Sequence, residues 1–370
     1  MTEHLTQNDV AKLLTDPSPD HRAQLAGKVA VHFDRNKLTP DERKIAEDII
    51  RFMARDTVER VRQSLAENLK SSPDLPRDIA LIMARDVESV AVPVLSVSRV
   101  LSESDLIEIV RGGSPAKQSA IAIRPEVSET LADELIEVAD ESAIAALVGN
   151  EGAKLGENHL NKVIDRFGDS ASVQYPLVRR SRLPLTVAER LVTLVSENLQ
   201  QYLVTHHELP DDVASSLVLK SRERATVNLF TGESDEAAVV RLVTQLVEGG
   251  RLTPSLLIRS LCTGDMTFFE VALSHLAGVP LTNARLLIHD GGRLGLKSLY
   301  DKAGLPANRL PVVRIAVDVA HETPFDGEAH DRERHSRRMI ERILTQYEEL
   351  ETTDIDYLLN KLGDIARSDA

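Results

Sequence analysis

The stretch Leu177–Val192, LVRRSRLPLTVAERLV, recurs 26 residues later as Leu203–Val218, LVTHHELPDDVASSLV. The two copies agree at Leu177/Leu203, Val178/Val204, Leu183/Leu209, Pro184/Pro210, Val187/Val213, Ala188/Ala214, Leu191/Leu217 and Val192/Val218. Seven of these eight pairs are apolar, and the eighth is a proline placed to open a helix. Identity confined to packing positions at such a period marks a stacked helical repeat.

Outward from this pair, the position of Leu177 and Leu203 is matched by Leu65, Leu95, Ile121 and Leu147, with spacings of 30, 26, 26, 30 and 26 residues. A second apolar column holds Leu101, Val127, Leu155, Leu183 and Leu209. A third, in the following helix, holds Leu106, Leu131, Leu160, Val187 and Val213. Each unit therefore reads as helix, short turn, helix, with room for two helices of about ten residues. The longer spacings fit insertions at Ser71–Pro76 and Gly149–Asn158. A unit of this size cannot bury its apolar face alone, so neighbours stack. The expected fold is all-α: a HEAT-like α-solenoid over residues 56–224, with a helical subdomain after it.

Residues 1–55 read as a helical cap of three helices, with Val10, Leu13 and Leu14 on the first and Leu25, Val29, Ala30 and Phe33 on the second. Thr39-Pro40-Asp41-Glu42 starts the third with a cap, a proline and a capping-box Glu. Ile45, Ile49, Ile50 and Met53 continue it at the helical period. The polar segment Thr226–Glu236 marks the boundary after the repeats. Residues 233–320 hold helices that end at glycines and start at Thr253-Pro254, Asp265 and Thr282, either a compact subdomain or divergent repeats. The tail, 321–370, has two amphipathic stripes: Met339, Ile340, Ile343, Leu344 and Tyr347, then Leu358, Leu359, Leu362 and Ile365.

Composition narrows the function classes. The net charge of −14 opposes a nucleic-acid backbone as the main ligand, although a local basic patch stays open. The N-terminus has no apolar segment of signal-peptide type, and no apolar run is long enough to span a bilayer. A single cysteine, Cys262, fits a reducing compartment, so a cytoplasmic protein away from membranes is expected.

The phrases VRQSLAENL, VAVPVLSVSRVLSESDLIEIV, LPLTVAERLV and LTPSLLIRSLCTGDMTFFEVALSHL resemble the bacterial family called domain of unknown function 2336. The resemblance runs from about Asp56 to Ala320, most specifically over Leu252–Leu276. It implies HEAT-like repeats and carries over no catalytic residue.

Three residues after each anchor stands a polar side chain: Asn68, Ser98, Arg124, Asn150, Arg180 and His206. As a ridge they would bind a protein partner, such as an acidic peptide or a helix, with Asn68, Arg124, Asn150, Arg180 and His206 as contacts. Alternatively they satisfy the orphan carbonyls of helix ends. Two basic clusters, Arg179, Arg180 and Arg182 and then Lys220, Arg222 and Arg224, keep nucleic-acid binding as a rival. His206-His207, His289-Asp290 and His330-Asp331 lack the context of a metal motif, and no metal or cofactor is implied. Gly292–Ser298 lacks the Gly-Lys of a phosphate loop and reads as an interhelical turn. Cys262 reads as a buried small hydrophobe, and Phe268 and Phe269 as two different core contacts, the alternative being one core side chain and one exposed anchor. Five arginines from Arg332 to Arg342, followed by the acidic run Glu348–Asp356, read as a solvated face or as a hairpin for self-association through the tail.

The expected function is a non-enzymatic scaffold or adaptor. The alternatives are an enzyme or ligand-binding module within 233–320, and nucleic-acid binding by the solenoid.

Overall fold

The computed structural model describes residues 18–33, 38–207, 210–229, 235–291, 294–322, 331–346, 358–359 and 361–362. Val10, Leu13, Leu14, Leu209, His330, Tyr347, the acidic run and Ile365 lie outside the described residues. Every described element is a helix, apart from one isolated parallel β-bridge between Val127 and Ala153. Two compact units divide the chain, Met1–Arg182 and Leu183–Ala370.

The first unit contains α1 (Pro19–Phe33), α2 (Pro40–Met53), α3 (Glu59–Leu69), α4 (Arg77–Ala84), α5 (Glu88–Val97) and α6 (Glu103–Gly112). It continues with α7 (Pro115–Ala122), α8 (Glu129–Val138), α9 (Glu141–Gly149), α10 (Glu157–Phe167) and α11 (Ala171–Val178). Odd-numbered helices stack on one another from α1 to α11, and α6, α8 and α10 stack in a second layer. This is the two-layer packing of an α-solenoid. Leu65, Leu95, Ile121, Leu147 and Leu177 close the odd helices and are all buried, as the spacing predicts.

The longer 149–158 connection has its own structural use. Val127 N donates to the Gly152 carbonyl at 3.3 Å, and Lys154 N donates to the Val127 carbonyl at 2.9 Å. The insertion therefore pairs with the turn of the preceding unit. Gly152 permits it, because a Cβ there would lie 2.0 Å from the Pro125 carbonyl oxygen.

Helix α2 departs from expectation. Its capping box forms, with Thr39 N donating to Glu42 Oε2 at 2.8 Å and Glu42 N to Thr39 Oγ1 at 3.4 Å. Its expected inward stripe, however, splits: Ile50 and Met53 are buried, while Ile45 and Ile49 face out, beside an exposed Phe52. Among the described residues α1 and α3 pack against one side of the helix, and Arg51 reaches Asp78 of α4, which leaves Ile45, Ile49 and Phe52 exposed.

The second unit contains α12 (Leu185–His207), α13 (Asp211–Asn228), α14 (Glu236–Glu248), α15 (Pro254–Cys262), α16 (Met266–Ala277), α17 (Leu281–Ile288), α18 (Leu294–Lys302), a 3₁₀ turn (Ala307–Arg309), α19 (Leu310–Glu322) and α20 (Asp331–Gln346). The division at Arg182/Leu183 falls inside the repeated motif, earlier than Thr226–Glu236. Helix α12 runs without interruption across the place where the repeat pattern would start a new helix. Alternate stacking persists nevertheless, α12 on α14 on α16 and α13 on α15.

One hydrophobic cluster joins α14–α20 with Val227 at the end of α13. Phe268, Phe269 and Cys262 are fully buried in it, and Met339, Ile340, Ile343 and Leu358 from the tail complete it. The tail stripe is thus part of this core, and 233–320 and the tail share it. Of the expected turn Gly292–Ser298, Leu294–Ser298 lie inside α18, because Leu296, Leu299 and Tyr300 supply an apolar helical face. No single described helix is long and apolar enough to cross a membrane, and the consecutive apolar helices α16 and α17 meet at 113°.

Candidate functional site

The polar column of the first unit is a connected structure. Arg124 is buried, and its guanidinium reaches back to the preceding unit. Nη1 donates to the Leu95 carbonyl at 2.5 Å and Nη2 to the Ser98 carbonyl at 2.6 Å. Asn150 Nδ2 donates to the carbonyls of Ala122 at 2.9 Å and Arg124 at 2.7 Å. Its Oδ1 accepts from Gly152 N at 2.9 Å. Arg180 Nη1 donates to the carbonyls of Val148 and Asn150 at 2.9 and 3.0 Å, and Nη2 to Ala153 at 3.3 Å.

Each side chain therefore caps the last turn of the odd helix one unit earlier. The four final carbonyls of a helix have no intrahelical donor, and a stacked neighbour is the nearest source of one. A cation at that end also meets the negative end of the helix dipole. Burial pushes the Arg124 guanidinium pKa down, but the carbonyl oxygens still hold it in place.

The remaining column members differ. Asn68 is exposed and donates only to Ser64 of its own helix, at 2.7 Å. Ser98 is buried and contributes its carbonyl. His206 is on α12, with its side chain outside the described residues. In the other layer Arg166 does the same work, donating to the Ile136 carbonyl and to the Ala139 carbonyl at 3.3 Å. It was not singled out from the sequence. Its signal was a basic residue in the last turn of a helix.

Ion pairs join successive even-numbered helices from α2 to α10. Arg51 meets Asp78 at 2.8 Å, Arg77 meets Asp105 at 2.6 Å, Arg111 meets Glu134 at 2.7 Å, and Lys162 meets Asp133 at 2.9 Å. The Arg77 guanidinium, helped by Ser102, holds the Asp105 carboxyl far below the usual carboxylate range. Arg111 likewise lowers Glu134. Both layers of the stack are thus bonded between units.

Against this background the α2 stripe stands out, with Phe52 78% exposed and Ile45 61% exposed. Ile45, Ile49 and Phe52 recur at helical spacing on one side. The second unit holds two further features. Glu270, buried on α16, lies 2.7 Å from Arg285 Nε and 2.6 Å from His289 Nε2, and His289 Nδ1 is 2.5 Å from His321 Nε2. This chain ties the ends of α17 and α19 to α16. Among the described residues no group of three or more His, Cys, Asp or Glu is placed to hold a metal ion. A cleft of about 330 Å³ lies at the start of α15, lined by Lys220, Glu223, Thr253, Arg259 and Arg309 among others.

No curated protein and no solved structure matches the chain. One family does match, described as "Uncharacterised protein conserved in bacteria (DUF2336)", over residues 90–352. That span covers α6–α20 together with most of α5, most of the solenoid and nearly all of the second unit, so the chain is a member of this bacterial family.

Proposed function

We propose that the protein is a non-enzymatic scaffold that offers its helical surface to a protein partner, with α2 as the docking element. The observation that carries this reading is the exposed Ile45, Ile49 and Phe52 stripe. Large apolar side chains at i, i+4 and i+7 are how a helix engages a groove on another protein. Contiguous exposed apolar surface on a soluble fold marks such sites. The column of Arg124, Asn150 and Arg180 supports the reading indirectly. Its donors cap helix ends, which leaves recognition to other surfaces.

The test is isolation of complexes from the native cell with wild type, Ile45→Glu and Phe52→Glu proteins, each first verified as folded. Arg85→Ala, which removes an exposed ion pair with Glu108, serves as the control. A partner retained by the control and lost with both α2 variants supports the proposal. A partner set unchanged by Phe52→Glu and Ile45→Glu overturns it.

A second reading draws on the cleft beside α15. Lys220, Arg259 and Arg309 outnumber Glu223 there, which suits a small anionic ligand. Calorimetric titration with inorganic phosphate, comparing wild type with Lys220→Ala, distinguishes it from the scaffold reading.

A further inference from the structure

The two copies of the repeated motif differ in burial although their letters agree. In the first, Val187 and Leu191 are 0% and 4% exposed; in the second, their counterparts Val213 and Leu217 are 41% and 51% exposed. Helix α13 has turned by one position, so that Ala214 and Val218 face inward. Its neighbour shows the same surplus. Val195, Leu199 and Tyr202 lie on one side of α12 and are all about half exposed.

The two helices form an antiparallel hairpin, joined where Gln200 Nε2 donates to Ser215 Oγ at 2.8 Å and to Asp211 Oδ1 at 3.3 Å. The hairpin meets the hydrophobic cluster of the second unit at the start of α12, through Leu185, and at the end of α13, through Val227. The exposed face of a surface helix is normally polar, with its apolar stripe turned to the core. This hairpin instead presents Val, Leu and Tyr.

We infer that the α12–α13 hairpin is completed by the same hairpin of a second copy of this chain, the two packing as an antiparallel four-helix bundle. The charge pattern selects a second copy. Helix α13 opens with Asp211 and Asp212 and carries Lys220, Arg222 and Arg224 towards its other end, with Val213 and Leu217 between. A two-fold axis near Leu217 sets the acidic end of each α13 against the basic end of the other. It also brings Leu217 against Leu217. Such self-complementarity is the requirement of an isologous interface. Helices of 23 and 18 residues are long enough to build the bundle.

Sedimentation velocity on the full chain tests this. The wild type is expected to be a dimer at micromolar concentration that weakens as salt rises, because the end charges are exposed. Leu217→Glu and Tyr202→Glu are expected to give monomers with unchanged circular dichroism, since both side chains are on the outside of a single copy. Asp211→Lys with Asp212→Lys should raise the dissociation constant at least tenfold, and adding Lys220→Glu with Arg222→Glu should restore it. A wild type that stays monomeric at about 100 µM overturns the inference. So does a dimer whose mass is unaffected by Leu217→Glu and Tyr202→Glu.

Discussion

Arg180 Nη1 lies 3.0 Å from the backbone carbonyl oxygen of Asn150 and donates to it. The Asn150 side chain repeats the relation one unit earlier, donating to the Arg124 carbonyl at 2.7 Å, and Arg124 repeats it again to Ser98 at 2.6 Å. From Arg124 to Arg180, each column residue holds the backbone of the one before. The stacking of the solenoid is thereby specified by hydrogen bonds as well as by apolar contact.

Arg124→Ala removes the donors for two carbonyls in a buried place. Bonds to charged groups are worth about 1.5–3 kcal/mol, and stranded acceptors add cost, so a loss of about 2–4 kcal/mol is expected. Arg124→Lys should recover only a minor part, because one ammonium cannot reproduce the fork to Leu95 and Ser98. Urea unfolding followed by circular dichroism measures both. Equal stability of Arg124→Ala and wild type would refute the capping role.

Gly152→Ala places a methyl against the Pro125 carbonyl oxygen, where backbone cannot yield cheaply. The strain should cost about 1–3 kcal/mol. Amide exchange should rise at Val127 and Lys154, whose N–H groups belong to the neighbouring bridge. Unchanged protection at those two amides would show that the insertion is free to shift.

The Arg77–Asp105 pair sets an acid dependence. The Asp105 carboxyl titrates lower in the folded chain than in the unfolded one, where about 3.9 applies. Its contribution is therefore fully present above the unfolded value and is lost as pH falls through the folded value. Asp105→Asn should be less stable than wild type at neutral pH, and the gap should narrow below about pH 4. Thermal melts from pH 7 to pH 3 read this. A gap that widens with acid would reverse the assigned sign.

In the second unit Glu189 is buried and accepts from Arg251 Nη1 at 2.7 Å and Gln245 Nε2 at 2.6 Å. Arg251→Ala leaves that carboxylate without its cation and should destabilise by about 3–5 kcal/mol. Replacing both, Glu189→Leu with Arg251→Leu, should cost less than the single change, because no charge is then stranded. A double-mutant cycle by urea titration decides between these outcomes.

Much of the first unit was legible in local patterns. Leu65, Leu95, Ile121, Leu147 and Leu177 were found from spacing, because the inside of a helix pair is filled at the helical period. The Thr39–Glu42 capping box was legible for the same reason, since its partners are three residues apart. Phe52 was not. Its exposure depends on how many helices surround α2, which no window of sequence contains. Nor was His321, which meets His289 only because α17 and α19 end together.

The sequence by itself determined the all-helical class, the repeat and the anchor column from Leu65 to Leu177, since each follows from contacts within a turn or two of chain. Only the tertiary structure decided which carbonyls Arg124, Asn150 and Arg180 cap, and that the compact units part at Arg182/Leu183. It also decided that Val187 and Val213, the same letter in the same motif, lie inside and outside respectively. The physical reason is that burial belongs to a pair of surfaces. A repeat supplies one of them, and its neighbour must supply the other.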